Sequence, residues 1–179
     1  MALVHYPVRD KNGATIASAV TNLDVHDIAR VCRTYGVDGY YVVTPLADQK
    51  ILVKRILGHW TDGAGGTYNP DRRRALERVR VCSDIATMVG EIAARHGRRP
   101  LTVATSARRQ AGCVSHRRLR GMLADTGPLI LVFGTAWGLA DECLETADLI
   151  LEPLAADRDY NHLSVRSAAA IILDRLLGG

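Results

Sequence analysis

Short apolar runs alternate with amphipathic helical patterns along the whole chain. ALVHY at 2–6 reads as a first strand. DVHDIARVCRTYG then sets Val25, Ile28, Cys32 and Tyr35 at helical spacing, with Asn22 or Asp24 as a cap and Gly36 as a stop. GYYVVTP at 39–45 predicts a buried strand closed by Pro45. Residues 48–60 predict a helix with Leu52, Ile56 and Trp60 on one stripe and Val53 and Leu57 beside it. TDGAGGTYNP at 61–70 reads as a Gly-rich loop. Its Asn69-Pro70 pair supplies an N-cap and first helical position for the short basic helix DRRRALERV. A strand near 79–82 follows. Ser83 then caps a helix that turns Ile85, Met88, Ile92 and Ala93 inward and stops at Gly97. LTVATS after Pro100 is a strand ending on hydroxyls, and Ser115 caps a further basic helix. LILVFG at 129–134 and ADLILEP at 147–153 are strands. Ser164 opens a closing helix that buries Val165, Ala168, Ala169, Ile172 and Leu176 and ends at Gly178. Six apolar strands separated by helices predict an α/β fold, a single domain over 1–179 with a mostly parallel sheet.

Composition narrows the class. The chain has 179 residues, 47% hydrophobic and 23% charged, which excludes intrinsic disorder and suits one globular domain. No apolar run reaches the roughly 18–20 residues that cross a bilayer, and MALVHYPVRD lacks a signal-peptide pattern. The expectation is a cytoplasmic protein without membrane contact.

Charge changes the picture more. The formal net charge is only +4, but Arg outnumbers Lys twenty to three and the charges are segregated. Residues 1–70 carry a net +1, residues 71–120 a net +9 and residues 121–179 a net −6. Clustered guanidinium groups favour bidentate contact with phosphate, so the middle segment points to a nucleic acid or another polyanion. The four cysteines and six histidines are scattered, without CxxC or ligand spacing, which predicts reduced thiols, surface imidazoles and no metal.

In an open α/β sheet, ligands bind beyond the carboxyl ends of the strands. Three of those ends carry unusual residues: Thr105-Ser106, Phe133-Gly134-Thr135-Ala136-Trp137-Gly138-Leu139, and Leu151-Glu152-Pro153-Leu154. The glycines four apart in FGTAWGL permit close backbone approach or positive φ. The turn is neither GxGxxG nor a P-loop, and it also reads as a tight strand-to-helix turn with Trp137 in the core. The run Asp159-Tyr160-Asn161-His162-Leu163-Ser164-Val165-Arg166 precedes an alanine-packed helix start, where free N–H groups can meet a ligand or merely cap the helix.

These blocks, FGTAWGL, LEPL and YNHLSVRSAAAIIL, resemble the last two conserved blocks of the α/β-knot (SPOUT) RNA methyltransferases, and more narrowly a small bacterial family within them. LVHYPVRDKNG, TNLDVHDIARVCRTYGVDGYYVVTP, YNPDRRRAL and VATSAR extend the resemblance over essentially the whole chain. It departs where the superfamily usually has Asn six residues and Gly four residues before an Arg; here Asp24 and His26 precede Arg30.

The resemblance implies a C-terminal trefoil knot, a homodimer and S-adenosylmethionine bound among three loops. Those loops hold Thr105, Ser106, Phe133, Gly134, Thr135, Trp137, Gly138, Leu139, Leu151, Glu152, Pro153, Leu154, His162, Leu163 and Ser164. Leu139, Leu154 and Leu163 can sandwich adenine, while Thr105, Thr135 and Ser164 reach polar atoms. For methyl transfer, Asp159 and Glu152 are candidate bases, His162 a candidate shuttle and Asn161 a further catalytic candidate, and Arg30 and Arg166 can position a phosphate or lower an acceptor's pKa. Arg72, Arg73, Arg74, Arg108, Arg109, Arg117, Arg118 and Arg120 supply RNA phosphate contacts. The expected substrate is a structured RNA, tRNA or rRNA. The alternatives are a knot-fold RNA-binding protein without turnover and another enzyme on a nucleotide-binding α/β fold.

Overall fold

The six apolar runs become six parallel strands: β1 Ala2–Val4, β4 Tyr40–Val43, β5 Val79–Cys82, β6 Leu101–Thr105, β7 Leu129–Gly134 and β8 Leu149–Leu151. They lie in the order β5-β4-β1-β7-β6-β8, and every pairing is parallel. The computed structural model describes residues 1–154 and 160–179. Two further strands, β2 Val8–Arg9 and β3 Thr15–Ile16, form an antiparallel ribbon that the periodicity does not announce.

Both faces of the sheet are covered, which is why its strands read as continuous apolar runs rather than alternating ones. Leu3, Tyr40, Val42, Val103, Leu131 and Phe133 pack on one side against α1 Asn22–Thr34, α2 Ala47–Thr61, α4 Pro70–Leu76, α6 His116–Met122 and α8 Val165–Leu177. Ala2, Val4, Tyr41, Val43, Ala104, Ile130 and Val132 pack on the other, against α5 Ile85–His96 and α7 Asp141–Thr146. The remaining helix, α3 Ala64–Tyr68, lies inside the stretch expected to be a loop. Added Cβ atoms on Gly65 and Gly66 would fall 2.8 Å from His59 and Trp60 and 2.4 Å from the Trp60 carbonyl. The glycines therefore serve close packing against α2 as well as turning.

Several caps are as expected: Asn69 accepts from Arg72 N, Ser115 from Arg118 N and Ser164 from Ser167 N. Two fall on other residues. Thr21 caps α1 in place of Asn22 or Asp24, and Asp84 caps α5 in place of Ser83. On α2 only Val53 is fully buried, while Leu52 is exposed, so the inward stripe is rotated from the expected one.

The chain leaves β1 toward β4 by way of α1. It leaves β7 in the opposite direction, past β6 to β8, by way of α7. Oppositely directed connections from adjacent strands open a crevice at their carboxyl ends, the place where open α/β sheets bind ligands.

Candidate functional site

Three strand ends meet at that crevice. Thr105 lies opposite Leu151, Ala104 opposite Val132, and Gly134 opposite Val4 of the central strand. The loops expected to hold a cofactor therefore leave from adjacent strands.

The turn after β7 is tightly specified. Ala136 has φ 51° and Gly138 φ 105°. A Cβ on Gly134 would lie 2.4 Å from the Leu139 nitrogen, so position 134 excludes every larger residue without backbone movement. Gly138 N donates back to Thr135 O at 2.9 Å. The ribbon then pins the turn from outside: Arg9 N donates to Gly138 O, Trp137 N to Arg9 O and Ala140 N to Pro7 O. The Arg9 guanidinium also pairs with Asp141. Trp137 is not a core side chain; it is 58% exposed. Leu139 is the buried one, packed into the α5–α7 face, so it is withdrawn from the expected adenine sandwich. Phe133, Leu151 and Pro153 are buried walls, and Leu154 is half-buried while Leu163 is exposed. The last two are the apolar surfaces left for a planar ring.

The expected polar contacts are mostly committed to holding the loops in place. Thr105 Oγ1 donates to Val132 O at 3.0 Å, Ser106 Oγ accepts from Arg108 N, and Ser164 Oγ accepts from Ser167 N. Thr135 Oγ1 donates to Val4 O at 3.0 Å and meets Ser18 Oγ at 2.5 Å. Glu152 accepts from the His116 backbone N–H at 2.9 Å and faces its Nδ1 at 3.1 Å. These bonds hold its carboxyl below the ordinary value against partial desolvation, so Glu152 is a structural anchor and a weakened base. Asn161 Nδ2 donates to Ala107 O at 3.1 Å, tying the loop before α8 to the loop after β6. His162 is exposed, with its ring edge-on to Tyr160. Asp159, the expected base, lies outside the described residues.

Arg166 and Arg30 occupy different places. Arg166 Nη1 binds Asp24 Oδ1 at 2.6 Å, and its Nε lies 3.6 Å from Asp27. Asp24 is itself buried and bonded to the Thr21 hydroxyl, so Arg166 is the counter-ion of a buried carboxylate and bridges α1 to α8. Arg30 is exposed and lines a cleft of about 400 Å³ together with Arg33, Thr34, Asn69, Asp71, Arg72, Arg74 and Ala75. Four guanidinium groups thus face one carboxylate, Asp71, which bonds Arg74 at 3.3 Å. Arg72 stacks on Trp60 at 4.7 Å, and its buried Nε has no protein partner. His26, edge-on to the same Trp60, has its pKa lowered by burial and then by Arg72.

The basic middle segment is not one surface. Arg72 and Arg74 sit on α4, which packs on α1, whereas exposed Arg117, Arg118 and Arg120 sit on α6, which packs on α8. The α1–α8 pair separates them. Arg73 turns to Glu77 at 2.8 Å, and Arg108 and Arg109 are exposed on the loop after β6.

Sequence reasoning missed two histidines. His5 and His116 are buried, contrary to the surface reading, and among the described residues neither Nε2 has a hydrogen-bond partner. The placement of His5 inside ALVHY, an otherwise apolar strand run, was the available signal. Cys32, Cys82 and Cys143 are buried free thiols, with pKa values raised by burial to about 11, about 12 and about 11. Among the described residues no three His, Cys, Asp or Glu side chains converge as a metal site, and no helix is long and apolar enough to cross a membrane.

Comparison with known proteins places the geometry. A family described as SAM-dependent RNA methyltransferase matches residues 1–178. A tRNA (guanine-N(1)-)-methyltransferase of Oleidesulfovibrio alaskensis is 51% identical over 177 residues, 99% of this chain and 41% of that protein. The chain thus spans about two fifths of such curated relatives. An uncharacterized protein of Aquifex aeolicus is 40% identical over 98% of this chain and 86% of its own length. The SpoU methyltransferase AviRb from Streptomyces viridochromogenes, solved in complex with AdoMet, aligns with a TM-score of 0.57 at 17% identity. That alignment covers 99% of this chain and 59% of AviRb, a likeness of fold.

Proposed function

The chain belongs to the SAM-dependent RNA methyltransferase family, and we propose that it transfers a methyl group from S-adenosylmethionine to a nucleotide of a structured RNA, tRNA or rRNA. The observation that carries this reading is the convergence of the 134–139 turn, the Leu151–Leu154 exit and the Asn161–Ala107 link at adjacent strand ends. The tRNA methyltransferase name of the longer relatives supports an RNA acceptor. Because the chain covers 41% of those proteins, the guanine-N1 position named for them is not carried over.

The residues present suit the cofactor. A backbone-lined turn with left-handed residues, together with half-buried Leu154 and exposed Leu163, can bind an adenine through main-chain groups and surface burial. S-adenosylmethionine supplies an electrophilic methyl; the protein's task is to hold the acceptor in line with it. Arg30 and its neighbours Arg33, Arg72 and Arg74 anchor RNA phosphates, while Arg166 stays with Asp24 and shapes the helix start. Glu152 holds the start of α6. Acid–base work falls to His162 and Asp159, while Asn161 orients groups by hydrogen bonding.

The remaining features of the proposal are residues 1–179 as one methyltransferase domain, a trefoil knot in its C-terminal part, a homodimer and a cytoplasmic location. Their support is the family match and the shared fold. Mass spectrometry of nucleosides in total RNA with and without the gene tests the reading. One methylated nucleoside lost and restored by the wild-type gene is expected; an unchanged profile contradicts it.

A further inference from the structure

We propose that His5 is a positioning residue for the cofactor turn, acting through Ser18 on Thr135; this rests on the reading of 134–139 as part of the S-adenosylmethionine site.

Proton counting on the hydrogen bonds leads there. Thr135 has one hydroxyl proton, and it goes to Val4 O at 3.0 Å. Either hydroxyl can donate at the 2.5 Å Thr135–Ser18 contact; we assign the donor to Ser18, which leaves the Thr135 proton for Val4 O, an acceptor only. Ser18 Oγ also lies 3.5 Å from His5 O; with its proton given to the shorter Thr135 contact, it accepts at 3.1 Å from His5 Nδ1. In this direction of the chain, neutral His5 carries its proton on Nδ1. The chain runs His5 Nδ1–H to Ser18, Ser18 to Thr135, and Thr135 to the carbonyl of the central strand. It fixes the rotamer of Thr135, the first residue beyond β7.

The turn needs such a fixing point. The ribbon grips its far side through Arg9, Gly138 and Trp137, and between these anchors Ala136 is held at φ 51°, a region in which residues other than glycine are uncommon. The near side is held by Thr135, through its own backbone N–H to Val4 O at 3.2 Å and through the hydroxyl chain. His5 is fully buried just beyond β1, with Asp24 of α1 as its charged neighbour and the Ala19 backbone within bonding reach of the ring, and among the described residues its Nε2 has no hydrogen-bond partner.

The test combines titration with S-adenosylhomocysteine and nitrogen-15 NMR of the imidazole, on the full chain. Ser18→Ala is expected to weaken S-adenosylhomocysteine binding about tenfold, the scale of one hydrogen bond lost from a buried chain. In a Thr135→Val background the same substitution is expected to cost nothing further, and Thr135→Ser is expected to keep wild-type affinity. The NMR spectrum is expected to show a protonated Nδ1 and a bare Nε2. Wild-type affinity in Ser18→Ala, additive losses in the double variant, or a protonated Nε2 would each overturn the inference while leaving the methyltransferase reading intact. If the wild type itself does not bind S-adenosylhomocysteine, both fail. Should Ser18→Ala not fold, the tautomer decides alone.

Discussion

Gly134 occupies a position at which one added carbon would collide with the backbone of the turn that begins there, 2.4 Å from the Leu139 nitrogen. Gly134→Val should therefore abolish S-adenosylmethionine binding in calorimetry while RNA retention on a filter persists, because the arginine cleft lies on other elements. Asp24 makes a different demand. It is a buried carboxylate answered by Arg166 at 2.6 Å, and breaking such a pair from one side strands a charge. Arg166→Met should lower unfolding stability by about 2–3 kcal/mol in urea denaturation. Asp24→Asn, which removes the buried charge itself, should lower it less. His5 adds a pH dependence. Burial lowers its pKa from 6.5 to about 4, so the unfolded chain binds a proton there that the native chain refuses. The neutral native form is fully favoured above pH 6.5. Stability should fall as pH drops from 6.5 to about 4, by roughly 3 kcal/mol, and His5→Asn should flatten that slope.

At the scale of elements, most of the architecture was legible because each long element satisfies its own local rules. Six apolar runs gave the six sheet strands. Val25, Ile28 and Cys32 are the buried face of α1, and Asn69, Ser115 and Ser164 cap the helices they precede. What escaped was written in tertiary contact. The β2–β3 ribbon has only two residues a side and is held by the backbone of a turn more than a hundred residues away. The short helix α3 exists where glycines let it sit on His59 and Trp60, and composition alone reads those glycines as loop. The candidate site divides in the same way. The three loops proposed to hold the cofactor were visible as odd residues at strand ends. The withdrawal of Leu139 into the core, the commitment of Arg166 to Asp24 and the burial of His5 depend on which strands become neighbours. The Asn69 cap gives an element-scale check: Asn69→Ala should destabilise by about 1 kcal/mol and loosen α4, weakening RNA binding more than cofactor binding.

For the whole molecule, charge along the chain and charge in space are different quantities. The +9 segment is divided by the α1–α8 pair, and its α4 arginines gain Arg30 and Arg33 from a stretch that is nearly neutral in sequence. The fold, by setting α1 beside α4, makes the concentrated patch. Arg72→Glu combined with Arg74→Glu should lower RNA affinity at least tenfold and flatten its dependence on log salt by about two phosphate contacts. Arg117→Glu with Arg118→Glu, across the α1–α8 pair, should have the smaller effect if the cleft is the main anchor. Equal effects would assign both flanks to one RNA footprint.

The most direct measurement is transfer of tritiated methyl from S-adenosylmethionine to total RNA taken from cells lacking the gene. The account predicts that the wild-type chain makes acid-precipitable, RNase-sensitive label and that Gly134→Val makes none. Label no higher with the wild type than with Gly134→Val would contradict it.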